Sequence, residues 1–408
     1  MKTTPTQLSE RIISLDILRG FAILGILIMN IQSMSMIGAA YINPTAYGDF
    51  TGINKIVWII SHVLADSKFM SIFSILFGAG VILFTDRLKA KGVKSLNIHY
   101  RRTFWLLIIG LLHAYVLWYG DILVAYALSA LWIILLRKKK PKTLFIVGAI
   151  IFSIGSILYF LTGISIPYMP EEAITGMMES WLPDTKTIAA EINAYRSDFL
   201  TQMDTRIPES IWMQTYLFFY FIGWRASGLM LIGMGLYKSE ILSAKKTNRF
   251  YLKMTLIGLI FGFALILIGL YKNFENNFSL EYSFFLGSQF NYWGSVLVAL
   301  GYIGLIILLI KSFKKGWLAN SLKAVGQTAL SNYLIQSILG TFIFYGHGLG
   351  LYGKVERWQQ ILIVIGIWIL QLIISPIWLK YFKFGPFEWL WRSLTYWKIQ
   401  PMRMRDTE

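Results

Sequence analysis

Asp16 and Arg19 stand three residues apart in Leu15-Asp16-Ile17-Leu18-Arg19-Gly20, at the mouth of an apolar run that reaches Ile31. On a helix they share a face. Asn30, eleven residues past Arg19, falls within about 20° of three whole turns and about 16 Å deeper. An ion pair and an amide on one line are costly in hydrocarbon unless they face protein or water, so this line reads as functional. His62 and Asp66, four apart, have the spacing of an imidazole held in one tautomer by a carboxylate, which is the geometry of an oriented general base. His113 falls mid-run in Leu111-Leu112-His113-Ala114-Tyr115, with Asp121 eight residues further on. Each histidine also has a plainer reading, a hydrogen bond to a neighbouring helix worth about 0.6 kcal/mol. Arg225 interrupts Gly223-Trp224-Arg225-Ala226-Ser227 and calls for a carboxylate, an anionic ligand or water. Within the chain, Asp16, Asp66 and Asp121 are its candidate partners. Asn332, Gln336 and Gln371 suit substrate contacts or bonds between helices equally well. His99 lies in a basic loop and reads as solvated, and His347, between Gly346 and Gly348, reads as a turn residue.

The elements that must position these groups are membrane helices. Of the 408 residues 56% are hydrophobic and 14% charged, and the mean hydropathy is +0.58. This composition describes a multi-pass membrane protein. Apolar runs long enough to cross about 30 Å of hydrocarbon occur at 15–36, 69–86, 104–119, 121–136, 143–163, 213–237, 250–271, 290–311, 328–346 and 359–382. The expected fold is therefore an all-α bundle of about ten transmembrane helices forming one domain over 1–408. The 104–119 and 121–136 runs, joined by Tyr119-Gly120-Asp121, read as a tight helical hairpin.

Loop charge gives the orientation, because short cytoplasmic loops collect Lys and Arg. The even-numbered exits are basic: Arg87, Lys89, Lys91, Lys94, Arg101 and Arg102; Arg137 to Lys140 with Lys142; Lys245, Lys246 and Arg249; Lys311, Lys314 and Lys315; and Lys380, Lys383, Arg392, Lys398, Arg403 and Arg405. Both termini should lie in the cytoplasm. The 165–210 insertion is acidic and reads as extracellular, with an amphipathic helix over Thr187 to Met203 begun by Pro183, Asp184 and Thr185 and with Pro208 as a later stop. The net charge of +17 is accounted for by loops facing anionic lipid, so the bilayer is the expected partner and nucleic acid is not. Exposed aromatics accommodate a homodimer as readily as a monomer. With no cysteine, thiolate nucleophiles and Cys-ligated metals are excluded, and no phosphate loop, HExxH pair or G-x-S-x-G elbow is present. No metal is expected. The first span reads as a retained signal anchor.

Several strings resemble those of the YeiB-like family of bacterial membrane proteins, also called the domain-of-unknown-function 418 family. They are Leu15 to Ala22, Phe69 to Gly80, His113 through Trp118-Tyr119-Gly120-Asp121-Ile122-Leu123, Ala329 to Ser337, and Gly385-Pro386-Phe387-Glu388-Trp389-Leu390-Trp391-Arg392. The resemblance covers nearly the whole chain and implies a multi-pass protein of the bacterial plasma membrane. The first span is similar, at a greater distance, to transmembrane acyltransferases, including acyltransferase family 3 and the lysosomal heparan-glucosaminide N-acetyltransferase. Those enzymes move acyl groups from cytosolic coenzyme A to acceptors across the membrane. Acyltransferase family 3 has an arginine followed, after ten intervening residues, by a histidine, and the matching positions here are Arg19 and Asn30, so the histidine is replaced. The heparan-glucosaminide enzyme has asparagine there and its histidine further along, for which His62 is the counterpart.

This second resemblance implies acyl-CoA as donor. Its phosphates would be held at the cytoplasmic mouth by Arg19, Arg101 and Arg102 beside Asp16. Asn30, His62, Asp66 and His113 would form the transfer layer, with His62 as base and Asn30 donating to the oxyanion. Asp121, Arg225, Asn332 and Gln336 would face substrate. Two other functions fit the same polar line: a transporter of a small or anionic solute, and a non-catalytic lipid-binding membrane protein.

Overall fold

Each of the ten apolar runs is centred on helix in the computed structural model, which describes residues 12–312 and 316–404. The basic residues Lys314, Lys315 and Arg405 lie outside the described residues. The longer helices of the first half are α1 (Ile13–Ser35), α2 (Gly52–Leu64), α3 (Lys68–Ala90), α4 (Ser95–Leu112), α5 (Leu123–Ile133) and α6 (Pro141–Ser165). Then come α7 (Glu171–Trp181), α8 (Thr185–Arg196), α9 (Met203–Trp212), α10 (Gly223–Lys238), α11 (Asn248–Glu275) and α12 (Ser288–Ser312). The chain closes with α13 (Trp317–Gln327), α14 (Ala329–Phe344), α15 (Arg357–Tyr381) and α16 (Pro386–Tyr396). Wide π-helical turns extend α4 at His113–Leu117, join α9 to α10 at Met213–Ile222 and lead into α12 at Leu280–Gly287.

Among the described residues seven helical segments are long and apolar enough to cross a membrane: Ile13–Ser35, Gly52–Ala90, Pro141–Tyr168, Met203–Lys238, Asn248–Glu275, Leu280–Ser312 and Arg357–Tyr381. Of the other three runs, those in α5 and α14 are shorter helices, while α4, 18 residues long before its π-helical extension, carries His99, Arg101 and Arg102 in its first half. At 16 residues α14 reaches only about 24 Å. Of the seven membrane-length segments α1 is the most enclosed, with Leu15, Leu18, Ala22, Leu27 and Ile31 almost wholly buried.

Hydrogen bonds sort the loops into two groups at opposite ends of the bundle. At one end Ser14 Oγ donates to the Leu242 carbonyl at 2.8 Å, Lys238 Nζ to Lys139 O at 2.8 Å, Lys311 Nζ to Lys246 O at 2.7 Å, and Trp391 Nε1 to Arg102 O at 2.8 Å. At the other end Asn43 Nδ2 donates to Trp181 O at 3.1 Å, Trp181 Nε1 to Phe278 O at 2.9 Å, Arg206 Nη2 to Val116 O at 2.6 Å, and Arg196 Nε to Tyr352 O at 2.7 Å. The first group joins the basic segments and the start of α1. The second joins the remaining loops to the acidic 165–210 segment. This partition matches the alternation of loop charge.

That acidic segment differs in detail from the sequence reading. Asp184 does begin α8, its carboxylate accepting from Thr187 N at 2.7 Å. The helix ends at Arg196 rather than continuing to Met203. Asp198 Oδ1 accepts from the backbone N–H groups of Leu200 and Thr201 at 2.9 and 3.1 Å, an alternative to helical bonding that starts a turn. Pro208 does not stop a helix but lies inside α9, which runs on without the one bond that a residue there would have donated.

Candidate functional site

The Leu15 to Gly20 string lies where α1 meets α13 almost backbone to backbone. A Cβ built on Gly20 would fall 2.0 Å from Leu322 O, and one on Gly326 would fall 1.8 Å from Asp16 O. Only glycine at both positions permits this approach. It brings Gln327 Nε2 within 3.2 Å of Asp16 Oδ2, while Asp16 Oδ1 pairs with Arg19 Nη1 at 2.9 Å. Asp16 is buried.

Beside this contact is a cavity of about 240 Å³, lined by α1, α3, α4, α5, α13, α14 and α16. Its charged lining comprises Asp16, Arg19, Arg87, Arg102, Glu388 and Arg392, and the rest includes Ile23, Phe73, Leu76, Leu106, Tyr126 and Tyr333. Four guanidinium groups against two carboxylates leave a formal charge of +2. The Arg102 guanidinium is sandwiched between Phe84 at 4.5 Å and Trp391 at 4.3 Å, a cation–π arrangement that fixes its plane. Arg392 lies 4.5 Å over Phe384. Glu388 caps α14: its Oε1 accepts from Leu330 N at 2.6 Å and Ser331 N at 3.0 Å, and its Oε2 from the Ser331 hydroxyl. Burial pushes the Glu388 carboxyl above the ordinary range, and these donors oppose the shift. Arg101, expected at this mouth, does not line the cavity; its guanidinium sits 6.0 Å from the Trp397 ring.

One wall of the cavity is shared with a second polar group. His113 begins the wide turn that ends α4, and the chain then doubles back so that Asp121, eight residues on, reaches its ring: Nδ1 lies 2.8 Å from Asp121 Oδ1. The other Asp121 oxygen accepts from Val124 N at 2.7 Å, at the start of α5. His113 Nε2 lies 2.8 Å from Ser337 Oγ on α14. Serine, histidine and aspartate are thus joined in a row, all three buried. Tyr333, which lines the cavity, packs its ring 4.9 Å from that of His113.

His62 and Asp66 belong to another network. The α2 helix breaks at Ser67, which sits in the left-handed region at φ 63°, yet His62 Nδ1 still meets Asp66 Oδ2 at 3.0 Å. Asp66 Oδ2 also accepts from Asn291 Nδ2 at 2.7 Å. Lys68, fully buried, donates to His62 O at 2.6 Å and to Asn291 Oδ1 at 2.7 Å. Sequence reasoning passed over Lys68 because it sits at the edge of an apolar run, where lysines ordinarily reach water.

The expected convergence of Asn30, His62 and His113 in one layer does not appear as bonding. Among the described residues no hydrogen bond joins the Asn30 side chain to either histidine, and the two histidine networks share no residue; Asn30 engages through its carbonyl, which accepts from Ser33 Oγ at 3.4 Å. Arg225 is not bonded to a carboxylate. Its Nη1 donates to Tyr292 O at 3.2 Å and its Nη2 to Ser71 Oγ at 2.9 Å and Ser295 Oγ at 2.8 Å, so neutral oxygens take its two terminal nitrogens while Nε has no hydrogen-bond partner among the described residues, and the Tyr292 ring lies 4.6 Å beneath. Asn332 Nδ2 bonds Thr328 Oγ1 at 2.9 Å and Ser375 Oγ at 3.1 Å, and Gln336 Nε2 bonds Gln371 Oε1 at 2.9 Å, all within or between helices. His99 is buried rather than solvated, its Nε2 3.0 Å from Ala130 O, because α4 starts at Ser95 and carries it under α5. His347 lies in its turn with Nδ1 3.2 Å from Gln202 Oε1, tying that turn to the acidic segment.

A helical bundle with seven membrane-length helices and an arginine-lined cavity at its basic end defines the class: a multi-pass membrane protein. Residues 236–398 match the family described as protein of unknown function (DUF418). Across its whole length the chain is similar to the uncharacterized protein YxaH of Bacillus subtilis, 33% identical over 418 residues that cover 98% of this chain and 97% of the relative. It is 30% identical to the uncharacterized protein YeiB of Escherichia coli, over 95% of this chain and 96% of that one. To an uncharacterized 39.9 kDa protein of Bacillus acidopullulyticus it is 27% identical, over 98% of each. The chain belongs to the YeiB-like DUF418 family.

Proposed function

We propose that the protein lies in the bacterial plasma membrane with both termini and the arginine-lined cavity on the cytoplasmic side, and that it transfers an acyl group from acyl-CoA to a lipid, glycan or extracellular acceptor. The cavity carries this reading. It joins a cluster of guanidinium groups, suited to phosphates, to an apolar depth suited to an acyl chain. The positive-inside rule puts that end in the cytoplasm, where acyl-CoA is found. Arg19, Arg87, Arg102 and Arg392 hold the phosphates, and the thioester points toward Tyr333 and His113. His113, oriented by Asp121, is better placed than His62 to act as base, because Tyr333 borders both it and the cavity.

Calorimetric titration of the detergent-purified protein with acetyl-CoA tests this. Loss of one charge-assisted bond, about 1.5–3 kcal/mol, should make Arg102→Ala bind roughly 10- to 150-fold more weakly. His113→Ala should abolish thioester loss while His62→Ala retains it. Absence of acetyl-CoA binding by the wild type refutes the reading. Transport has one observation of its own, the charged group of Asp66, Lys68 and Arg225 deep in the bundle. Counterflow of an unchanged anionic solute into vesicles, without thioester consumption, would favour it.

A further inference from the structure

We propose that Ser337 is the nucleophile of the site, carrying the acyl group as an ester on its Oγ between donor and acceptor; this rests on the acyl-transfer reading above. With Nδ1–H directed at the Asp121 carboxylate at 2.8 Å, the lone pair of His113 Nε2 faces Ser337 Oγ, also at 2.8 Å. That arrangement activates a serine hydroxyl, and the carboxylate holds the tautomer and stabilises the imidazolium as it forms. The second oxygen of Asp121 is fixed by Val124 N at 2.7 Å, so the carboxylate is itself oriented. All three side chains are buried, where such bonds gain strength from the low dielectric.

Access runs along α14. Leu330 and Tyr333 line the cavity, and Ser337 follows Tyr333 by one turn, about 6 Å deeper on the same face. The Tyr333 ring is the partition, its hydroxyl donating a long bond of 3.5 Å to Gly120 O and accepting from the Ile122 backbone. A change of its rotamer opens the cavity to Ser337. Then Ser337 Oγ attacks the thioester carbonyl carbon, its proton passing to His113 Nε2. The C–S bond breaks, and the thiolate takes that proton and departs as the free thiol. In the second half an acceptor hydroxyl or amine gives its proton to His113 and attacks the ester carbonyl, and Ser337 Oγ leaves with the proton.

The chain contains no cysteine, so Ser337→Cys in the full-length protein installs its sole thiol. Alkylation by iodoacetamide should persist well below the pH set by an ordinary thiol pKa of about 8.5, and Ser337→Cys combined with His113→Gln should return it to ordinary behaviour. A thiol unreactive at every pH, or one with the same profile in both backgrounds, overturns the proposal. In a second arm wild-type protein is mixed with acetyl-CoA, acid-quenched and digested. The peptide holding Ser337 should carry an acetyl group, and Ser337→Ala should lose the adduct and release thiol at least about a thousandfold more slowly. Thiol release by the wild type with no adduct, and at an equal rate in a Ser337→Ala protein of unchanged melting temperature, overturns the nucleophile and leaves acyl transfer standing. A wild type that neither binds acetyl-CoA nor releases thiol overturns both.

Discussion

Gly326→Ala should be far more damaging than its one methyl group suggests. The added Cβ would stand 1.8 Å from Asp16 O and 2.7 Å from Gly20 N, both backbone atoms of α1 that cannot rotate aside. Ordinary contact begins near 3.4 Å, so α1 and α13 must part by about 1.6 Å. Such a shift breaks the bond from Gln327 Nε2 to Asp16 Oδ2, already at 3.2 Å. Overpacking costs about 1–3 kcal/mol and a lost bond to a charged group about 1.5–3, which together come to about 2.5–6 kcal/mol. At about 2 °C per kcal/mol for a chain of this size, the melting temperature should fall by roughly 5–12 °C. Thermal unfolding in detergent, followed by intrinsic fluorescence, reads this directly. Gly366→Ala is the control: it lies in the interior of α15, a Cβ there meets open space, and no loss of stability is expected. Should Gly326→Ala melt within about 2 °C of the wild type, the tight α1–α13 contact is wrong, and with it the placement of Asp16 in the cavity wall.

Two further perturbations probe the other end and the middle of the bundle. Burial raises the Glu191 carboxyl above its ordinary value, while Glu191 Oε1 accepts from both Gly38 N and Tyr352 Oη at 2.8 Å. A carboxyl raised in the folded state stabilises fully below the unfolded pKa, about 4.3, and loses that contribution as pH rises through the folded value. Glu191→Gln keeps a carbonyl acceptor without the charge, so its melting temperature should match the wild type near pH 4 and exceed it as pH rises through the folded value; a pH-independent gap contradicts this. Lys68→Met removes two bonds from a buried ammonium, at 2.6 and 2.7 Å, and should destabilise by about 2–4 kcal/mol net of the relieved desolvation. Adding Asp66→Asn should cost less than the sum of the separate effects, and strict additivity would separate the two residues.

What could be read without coordinates was what depends on neighbours in the chain. Asp16 and Arg19 meet because three residues make most of a turn, and His62 and Asp66 meet at four despite the break at Ser67. Loop charges sorted the two ends for the same reason, since each run of lysines and arginines is local. His113 and Asp121 were both singled out, but their contact needs a wide turn and a reversal that helical periodicity does not encode. Ser337 lies 224 residues from His113, and neither its type nor its polar neighbours Asn332 and Gln336 distinguished it from serines that only bond their own helix. For Arg225 a carboxylate, an anionic ligand and water were all open from the sequence. The serine hydroxyls of α3 and α12 and a carbonyl that accept from its terminal nitrogens are distant along the chain, and spacing alone does not reveal them.

One carboxylate links the parts of the candidate site. Glu388 is contributed by α16, yet its acceptors hold the first turn of α14, and the same side chain forms part of the cavity wall beside Arg392. About two turns along α14 from that cap comes Ser337, 2.8 Å from His113 Nε2. The positive end of the α14 dipole favours the charged carboxylate while burial disfavours it, so its charge depends on what else occupies the cavity. An anion bound at Arg102 and Arg392 would repel the Glu388 charge and loosen its hold on α14. Glu388 at the arginine cluster and Ser337 in the buried Ser-His-Asp row thus engage the same helix, α14, about two turns apart, so a change in the Glu388 charge would act on the element that carries Ser337.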